Sequence, residues 1–307
     1  KGTHLTATTL DIDLEATTFT LQTSCELVSS ARSIRVGPHF TDPGVSHMAV
    51  TSPVVWRSAE DQTFDVLVTV SGSGSVEFSA DDETATPDGT GTVTFTSGSY
   101  LNFTGSSVPN MTLTAADLSL SSEVVGASTD LVFRTSDSSN SELSVGDSNG
   151  GFHLSEAELN LITTDATLTL GDATTTDTVY VDNVDYLDTS PTDVFIKSTT
   201  LVEFKTDDSS FLTRLTVSSK KNIDVEAGVS ISNGVVAFTT NSDCTSPSDG
   251  TLHVTSSGSI DTNNQNLTVT GGDVNLEGTL ATDSGTAPTH FIGGCNDVSI
   301  EVGGGGS

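Results

Sequence analysis

Short apolar-x-apolar triplets recur along most of this chain, separated by Gly, Asp, Asn, Ser and Thr. With Phe95, Leu113, Phe133, Phe152, Leu170, Val194, Val217, Phe238, Val254 and Val269 as stations, successive gaps are 18, 20, 19, 18, 24, 23, 21, 16 and 15. Alternation inside each triplet puts one side of a strand in an apolar interior and the other in water. Strand-length pieces returning about every 19 residues, with no helical stretch, predict an all-β parallel solenoid, or β-helix. Each coil should hold three short strands, with Val, Ile, Leu and Phe stacked inside. Gly, Asn and Asp should take the corners, where φ turns positive. The later part repeats itself by eye: Leu215-Thr-Val217, Ile223-Asp-Val225 and Val229-Ser-Ile231 overlay Leu267-Thr-Val269, Val274-Asn-Leu276 and Thr279-Leu280.

Three segments are expected. Residues 1–63 open with alternation at Leu10, Ile12, Leu14, Phe19 and Leu21, which reads as one or more N-terminal coils. Residues 32–63 then interrupt it with Pro38, Pro43, Pro53, the single Trp56, and Arg32, Arg35 and Arg57. Proline withholds a ladder donor, and solenoid ends need covering, so an irregular cap or docking excursion is expected there. Phe64, Val66, Val68 and Val70 restart the alternation, and the solenoid proper should run over 64–302. Residues 303–307 read as a Gly-rich tail or linker.

Composition fits a thin-cored coil. Hydrophobic residues make up 34% and aromatics 6%, too little for one thick core. Acidic residues outnumber basic ones 41 to 10, for a net charge of −31. That balance excludes nucleic acid as a partner, because phosphate binding needs clustered Lys and Arg. Self-repulsion at this charge favours a salty setting. No cofactor is expected, and calcium bridging carboxylates is the one ion the acidity leaves open. No run of apolar residues is long enough to cross a bilayer, so no membrane span is expected. The chain begins Lys-Gly, without Met or a signal-peptide core, and reads as a mature product or a fragment. Cys25, Cys244 and Cys295 show no metal-ligand spacing. Cys244 and Cys295 lie in Gly/Ser/Asp-rich loops and are the expected disulfide in an oxidising exterior. Cys25 is left as a buried thiol or an inter-subunit link.

Little in the sequence points to catalysis. Asp81-Asp82 and Asp207-Asp208 are adjacent acids, but neighbours on a strand face opposite sides. The residue sets that accompany such acids in polygalacturonase-like enzymes are absent. The six histidines show no ligand spacing. Lys197, Lys205, Arg214, Lys220 and Lys221 gather half of the positive charge into one short stretch. This cluster relieves a crowded acidic surface, or meets an acidic neighbour or polysaccharide. Asn102, Asn110 and Asn266 head Asn-x-Thr triplets, candidate N-glycosylation sites that occur no more often than chance.

Residues 150–181 contain Leu154, Ser155, Ala157, Glu158, Leu159, Ile162, Thr163, Thr164, Leu168, Leu170, Gly171, Asp172 and Val179 in the order Leu-Ser-x-Ala-Glu-Leu-x-x-Ile-Thr-Thr…Leu-x-Leu-Gly-Asp…Val. This stretch resembles a repeat segment of filamentous-haemagglutinin-type secreted exoproteins and adhesins. The resemblance implies a right-handed parallel β-helix on a large secreted protein. Together these readings favour a non-enzymatic, extracellular structural or adhesive solenoid at the cell surface. It would build an appendage or filament through end-to-end or lateral contacts with copies of itself or related subunits. Cell-surface carbohydrate is a further partner class. The expected contacts are Cys25, Arg32, Arg35, Trp56, Arg57, Lys197, Lys205, Arg214, Lys220 and Lys221. The alternative is a polysaccharide-binding or polysaccharide-cleaving β-helix.

Overall fold

The computed structural model describes residues 3–293 except 8–9, 15–17, 22–24, 30–33, 39–46, 51–52, 72–73, 82–88, 105–109, 137–140, 148–150, 187–190, 245–249 and 283–286. The regular structure of these residues is nearly all β-strand in long, all-parallel sheets, so the chain is a parallel β-solenoid. It divides into two units, Lys1–Ser141 with Asn160–Leu168, and Glu142–Leu159 with Thr169–Ser307.

In unit 1 successive coils stack their strands in three ladders. The first ladder stacks Thr3–Ala7, Cys25–Ser29, Val54–Ser58, Val76–Ser79, Asn110–Ala115 and Asp130–Thr135. The second stacks Leu10–Leu14, Ile34–Pro38, Gln62–Phe64, Thr92–Phe95 and Asp117–Leu120. The third stacks Thr18–Leu21, His47–Val50, Leu67–Val70, Tyr100–Phe103, Val124–Gly126 and Ile162–Thr164.

Unit 2 repeats the plan. Its first ladder holds Asp193–Ser198, Arg214–Ser219, Val236–Thr239, Leu267–Gly271 and Thr289–Gly293. Its second holds Phe152–Leu154, Glu142–Gly146, Thr178–Asp182, Leu201–Phe204, Asn222–Val225, Thr251–Val254 and Asp273–Leu276. Its third holds Asp185–Tyr186, Ser209–Phe211, Gly228–Ile231, Ser259–Asp261 and Thr279–Ala281.

The repeat length differs from expectation. Plain coils carry Met111 onto Leu131, Val194 onto Leu215 and Val54 onto Val76, each slightly longer than the sequence spacing. Three others, from Cys25 to Val54, Val76 to Met111 and Val236 to Leu267, are longer again, the longest by well over half, because extra residues enter between successive strands. The shorter spacing in the sequence comes from mixing faces. Phe238 stacks directly on Val269, whereas Val254 stacks on Val225 in another ladder. Apolar triplets on all three faces are chemically alike, so sequence alone cannot assign them. The overlaid segments do lie on matching faces, two coils apart: Leu215–Val236–Leu267, Ile223–Leu252–Val274 and Val229–Ile260–Leu280.

Residues 32–63, expected to be an irregular excursion, instead supply four strands in register with their neighbours. Proline is accommodated at strand ends. Pro38 closes Ile34–Pro38, and Pro53 stands just before Val54–Ser58. Trp56 turns inward and is 1% exposed, so it is a core residue rather than an assembly contact. On the first ladder it stacks next to Phe78, while Phe64 stacks next to Phe95 on the second. The two columns meet across the coil. Phe64 lies 5.4 Å from Trp56 and 5.2 Å from Phe78, both edge-on, and 5.1 Å from Phe95, face to face. Gln62, fully buried at the adjoining corner, donates its amide to the carbonyls of Trp56 and Ser79 at 2.9 and 2.8 Å. It thereby links two successive coils from inside.

Among the described residues seven non-glycines have positive φ, and five of them are Asn or Asp, in line with the expected corner chemistry. One feature departs from all-β expectation: Glu156–Leu159 is a single helical turn. The Ser155 hydroxyl accepts from the Glu158 N–H at 3.3 Å, and the Glu158 carboxylate accepts from the Ser155 N–H and hydroxyl at 3.0 and 2.7 Å. This reciprocal capping satisfies donors that one turn cannot satisfy internally.

Candidate functional site

The basic residues do not form one ladder. Arg57, on the first ladder of unit 1, faces Glu26 at 3.6 Å and Glu77 at 3.5 Å from the neighbouring coils. Arg32 lies outside the described residues, and Arg35 sits mid-strand in Ile34–Pro38. In unit 2, Arg214 stacks on Asp193 and pairs with it at 3.0 Å. The Lys205 ammonium lies 4.0 Å from the centre of the Tyr180 ring, and the Lys197 ammonium 5.0 Å from that of Phe195. Lys220 and Lys221 occupy the corner between Arg214–Ser219 and Asn222–Val225, and the Lys220 N–H bonds the Ser198 carbonyl of the preceding coil. Local relief of acidic charge therefore accounts for Arg57 and Arg214, while Lys220 and Lys221 make no ion pair among the described residues.

A mixed acidic and basic surface, missed in the sequence, lies on the outward side of the second ladder of unit 2. One column runs through successive coils as Tyr180, Glu203, Asp224, His253 and Asn275. A second column, fixed by N–H bonds to the preceding coil, runs as Lys205, Glu226, Thr255 and Glu277. Burial pushes the Glu203 carboxyl up; Lys205 offsets this, and Glu226, Asp224 and Asp182 add to it. Burial likewise raises Asp224, with His253 opposing and Glu226 reinforcing. Tyr180 is raised by burial and then by Glu142, Glu203 and Asp177.

The third ladder of unit 2 faces an open cleft of about 480 Å³. Asp185, Ser210, Ser230 and Asp261 stack along its floor, with Asp208 at one corner. Their carboxylates are bound by their own surroundings: Asp185 accepts from the Ser210 hydroxyl at 2.6 Å, Asp208 from the Gly228 N–H at 2.7 Å and Asp261 from the Asn263 N–H at 2.9 Å. Among the described residues no Lys, Arg or His lines it. The cleft can accept hydrogen bonds from hydroxyl-rich or cationic ligands. Among the described residues no group of three or more His, Cys, Asp and Glu is arranged to hold a metal ion.

Between the strands Thr167–Leu170 and Thr178–Asp182 the chain turns around Asp172. Asp172 accepts from the N–H groups of Thr174, Thr175 and Thr176 at 2.8, 2.6 and 3.3 Å, and from the Thr174 and Thr175 hydroxyls at 2.8 and 3.1 Å. Burial alone would raise this carboxyl. The bonds from Thr175, Thr174 and Thr176 together outweigh it and hold the pKa at about 2. A depressed folded value stabilises the protein above the unfolded value and is lost as pH falls through the folded one. After a discount for partial exposure, about 1–2 kcal/mol should disappear between about pH 4 and pH 2. Asp172→Ala should cost about that much at neutral pH in urea melts and flatten the acid limb of the stability profile.

Cys244 is disulfide-bonded, while its expected partner Cys295 lies outside the described residues. Cys25 begins the strand Cys25–Ser29. Asn102 points outward mid-strand on the third ladder of unit 1, Asn110 opens Asn110–Ala115, and Asn266 is exposed just before Leu267–Gly271. Residues 303–307 lie outside the described residues, and no described helix is long and apolar enough to cross a membrane. No protein-family model, no curated protein and no solved structure matches the chain.

Proposed function

We propose that this chain is a non-enzymatic, extracellular structural or adhesive β-solenoid that builds a surface appendage or filament with copies of itself or related subunits. The observation that supports this reading is the strand edge of unit 2. Among the described residues, Thr289–Gly293 pairs on one side only, with Leu267–Gly271, and its Ile292 is 49% exposed. A parallel strand with a free edge and an exposed apolar side chain is a template for another strand. The Cys244 disulfide supports an oxidising, extracellular setting. The Lys220 and Lys221 corner supplies a cationic contact for the acidic surface of a neighbour.

The test is imaging by negative stain at rising protein concentration, in seawater-like salt with and without calcium. Elongated polymers are expected. Lys220→Glu with Lys221→Glu should weaken lateral bundling, and Ile292→Asp should shorten the polymers. A monodisperse particle under every condition overturns the proposal. One observation favours the alternative, a polysaccharide-binding or polysaccharide-cleaving β-helix: the acid- and hydroxyl-lined cleft over Asp185, Asp208 and Asp261. Sustained release of reducing ends or new ultraviolet absorbance from a uronate polymer would replace the structural reading with that one.

A further inference from the structure

His253 stands between two carboxylates carried by the coils on either side of its own. Its Nδ1 lies 4.0 Å from Asp224 Oδ1 in the preceding coil, and its Nε2 lies 3.7 Å from Glu277 Oε1 in the next. We propose that His253 is a proton-operated clasp that ties the strands Asn222–Val225, Thr251–Val254 and Asp273–Leu276 together in mild acid and releases them as the pH rises.

The argument rests on donor count. A neutral imidazole has one N–H, so it satisfies one flanking carboxylate and turns a lone pair toward the other. The imidazolium has two, and both point at negative charge. Histidine is the side chain whose charge ordinarily changes between about pH 5 and 8, and both distances are short enough for attraction to draw the groups together.

The surrounding charges reinforce the effect. The preceding coil presents Asp224 and Glu226, and the coil before it presents Glu203. The next coil presents Glu277, which accepts from the Asn275 amide at 3.3 Å, and Asn275 itself faces His253. His253's own strand adds only the neutral Thr251 and Thr255. Among the described residues of this face the one cation, Lys205, is engaged with the Tyr180 ring two coils away. Without the proton, acids therefore stack on successive coils with nothing cationic between them. The raised carboxyls of Glu203 and Asp224 reflect the same crowding of acids on this face. A proton added where acids crowd relieves their repulsion, so acidification tightens this face.

The experiment is hydrogen exchange of the full chain at about pH 7.5 and about pH 6, on either side of the ordinary histidine titration. Rates are corrected for the intrinsic pH dependence of exchange and read by mass spectrometry on peptides covering 222–226, 251–255 and 273–277. Protection there should rise about three- to tenfold at the lower pH. His253→Asn should abolish most of that rise, since it removes both contacts, and Glu277→Gln should reduce it, since it removes one of the two. Unchanged protection in the unmodified chain, or a rise that persists in His253→Asn, overturns the clasp.

Discussion

Phe64→Ala should destabilise unit 1 by about 3–5 kcal/mol. Phe64 is fully buried and touches three other rings, Trp56, Phe78 and Phe95, with centroids 5.4, 5.2 and 5.1 Å away. A solenoid core is one coil thick, so the cavity left by a missing ring opens between two columns with few neighbours to collapse into it. The ring contacts add to the loss, since each aromatic pair contributes about 0.5–1.5 kcal/mol beyond area burial. Phe64→Leu keeps most of the volume and should lose mainly the ring contacts, about 1–2 kcal/mol. Urea melts followed by circular dichroism decide the matter. Alanine and leucine variants of equal stability would mean that the four rings do not act as a packed cluster.

That cluster also shows where sequence reading stops. Period-two alternation suffices for the parallel solenoid, its three strands per coil, and Asn or Asp at the corners, because each follows from local chemistry. Stacking partners are not local. Phe64 meets Phe95 only because a corner insertion of unknown length brings them into register, and such insertions make the coil from Val76 to Met111 far longer than the one from Met111 to Leu131. Trp56 departs from its expected surface position for a related reason. Flanking prolines suggest a broken surface, yet Val54, Trp56 and Ser58 alternate inward, and that alternation is the usable signal.

The candidate sites divide the same way. The Ser155–Glu158 capping box has a readable Ser-x-x-Glu signature that the strand rhythm around it obscures. Asp224, His253 and Glu277 each stand about one coil apart along the chain, a spacing that means nothing until each coil's length is known. The grouping of Lys197 to Lys221 is visible as a charge count. Its dispersal over two ladders and a corner, with Arg214 paired to Asp193, depends on register as well.

Gly171→Ala should be strongly damaging in unit 2, costing about 3 kcal/mol. Two effects combine at this position. Its φ is +78°, in the left-handed region, where any Cβ costs about 1–2 kcal/mol. A Cβ there would also stand 2.2 Å from the Lys197 carbonyl oxygen, a backbone atom of the strand Asp193–Ser198 that cannot rotate away. Movement would disturb that ladder and the neighbouring Asp172 turn at once. Gly89 provides the control: its φ is +76°, but among the described residues nothing lies within 4 Å of an added Cβ. Gly89→Ala should therefore show only the conformational cost, about 1 kcal/mol. The difference between the two variants in urea melts isolates the close approach of successive coils. If the two losses are equal, Lys197 yields freely and the coils at this corner are not in rigid contact.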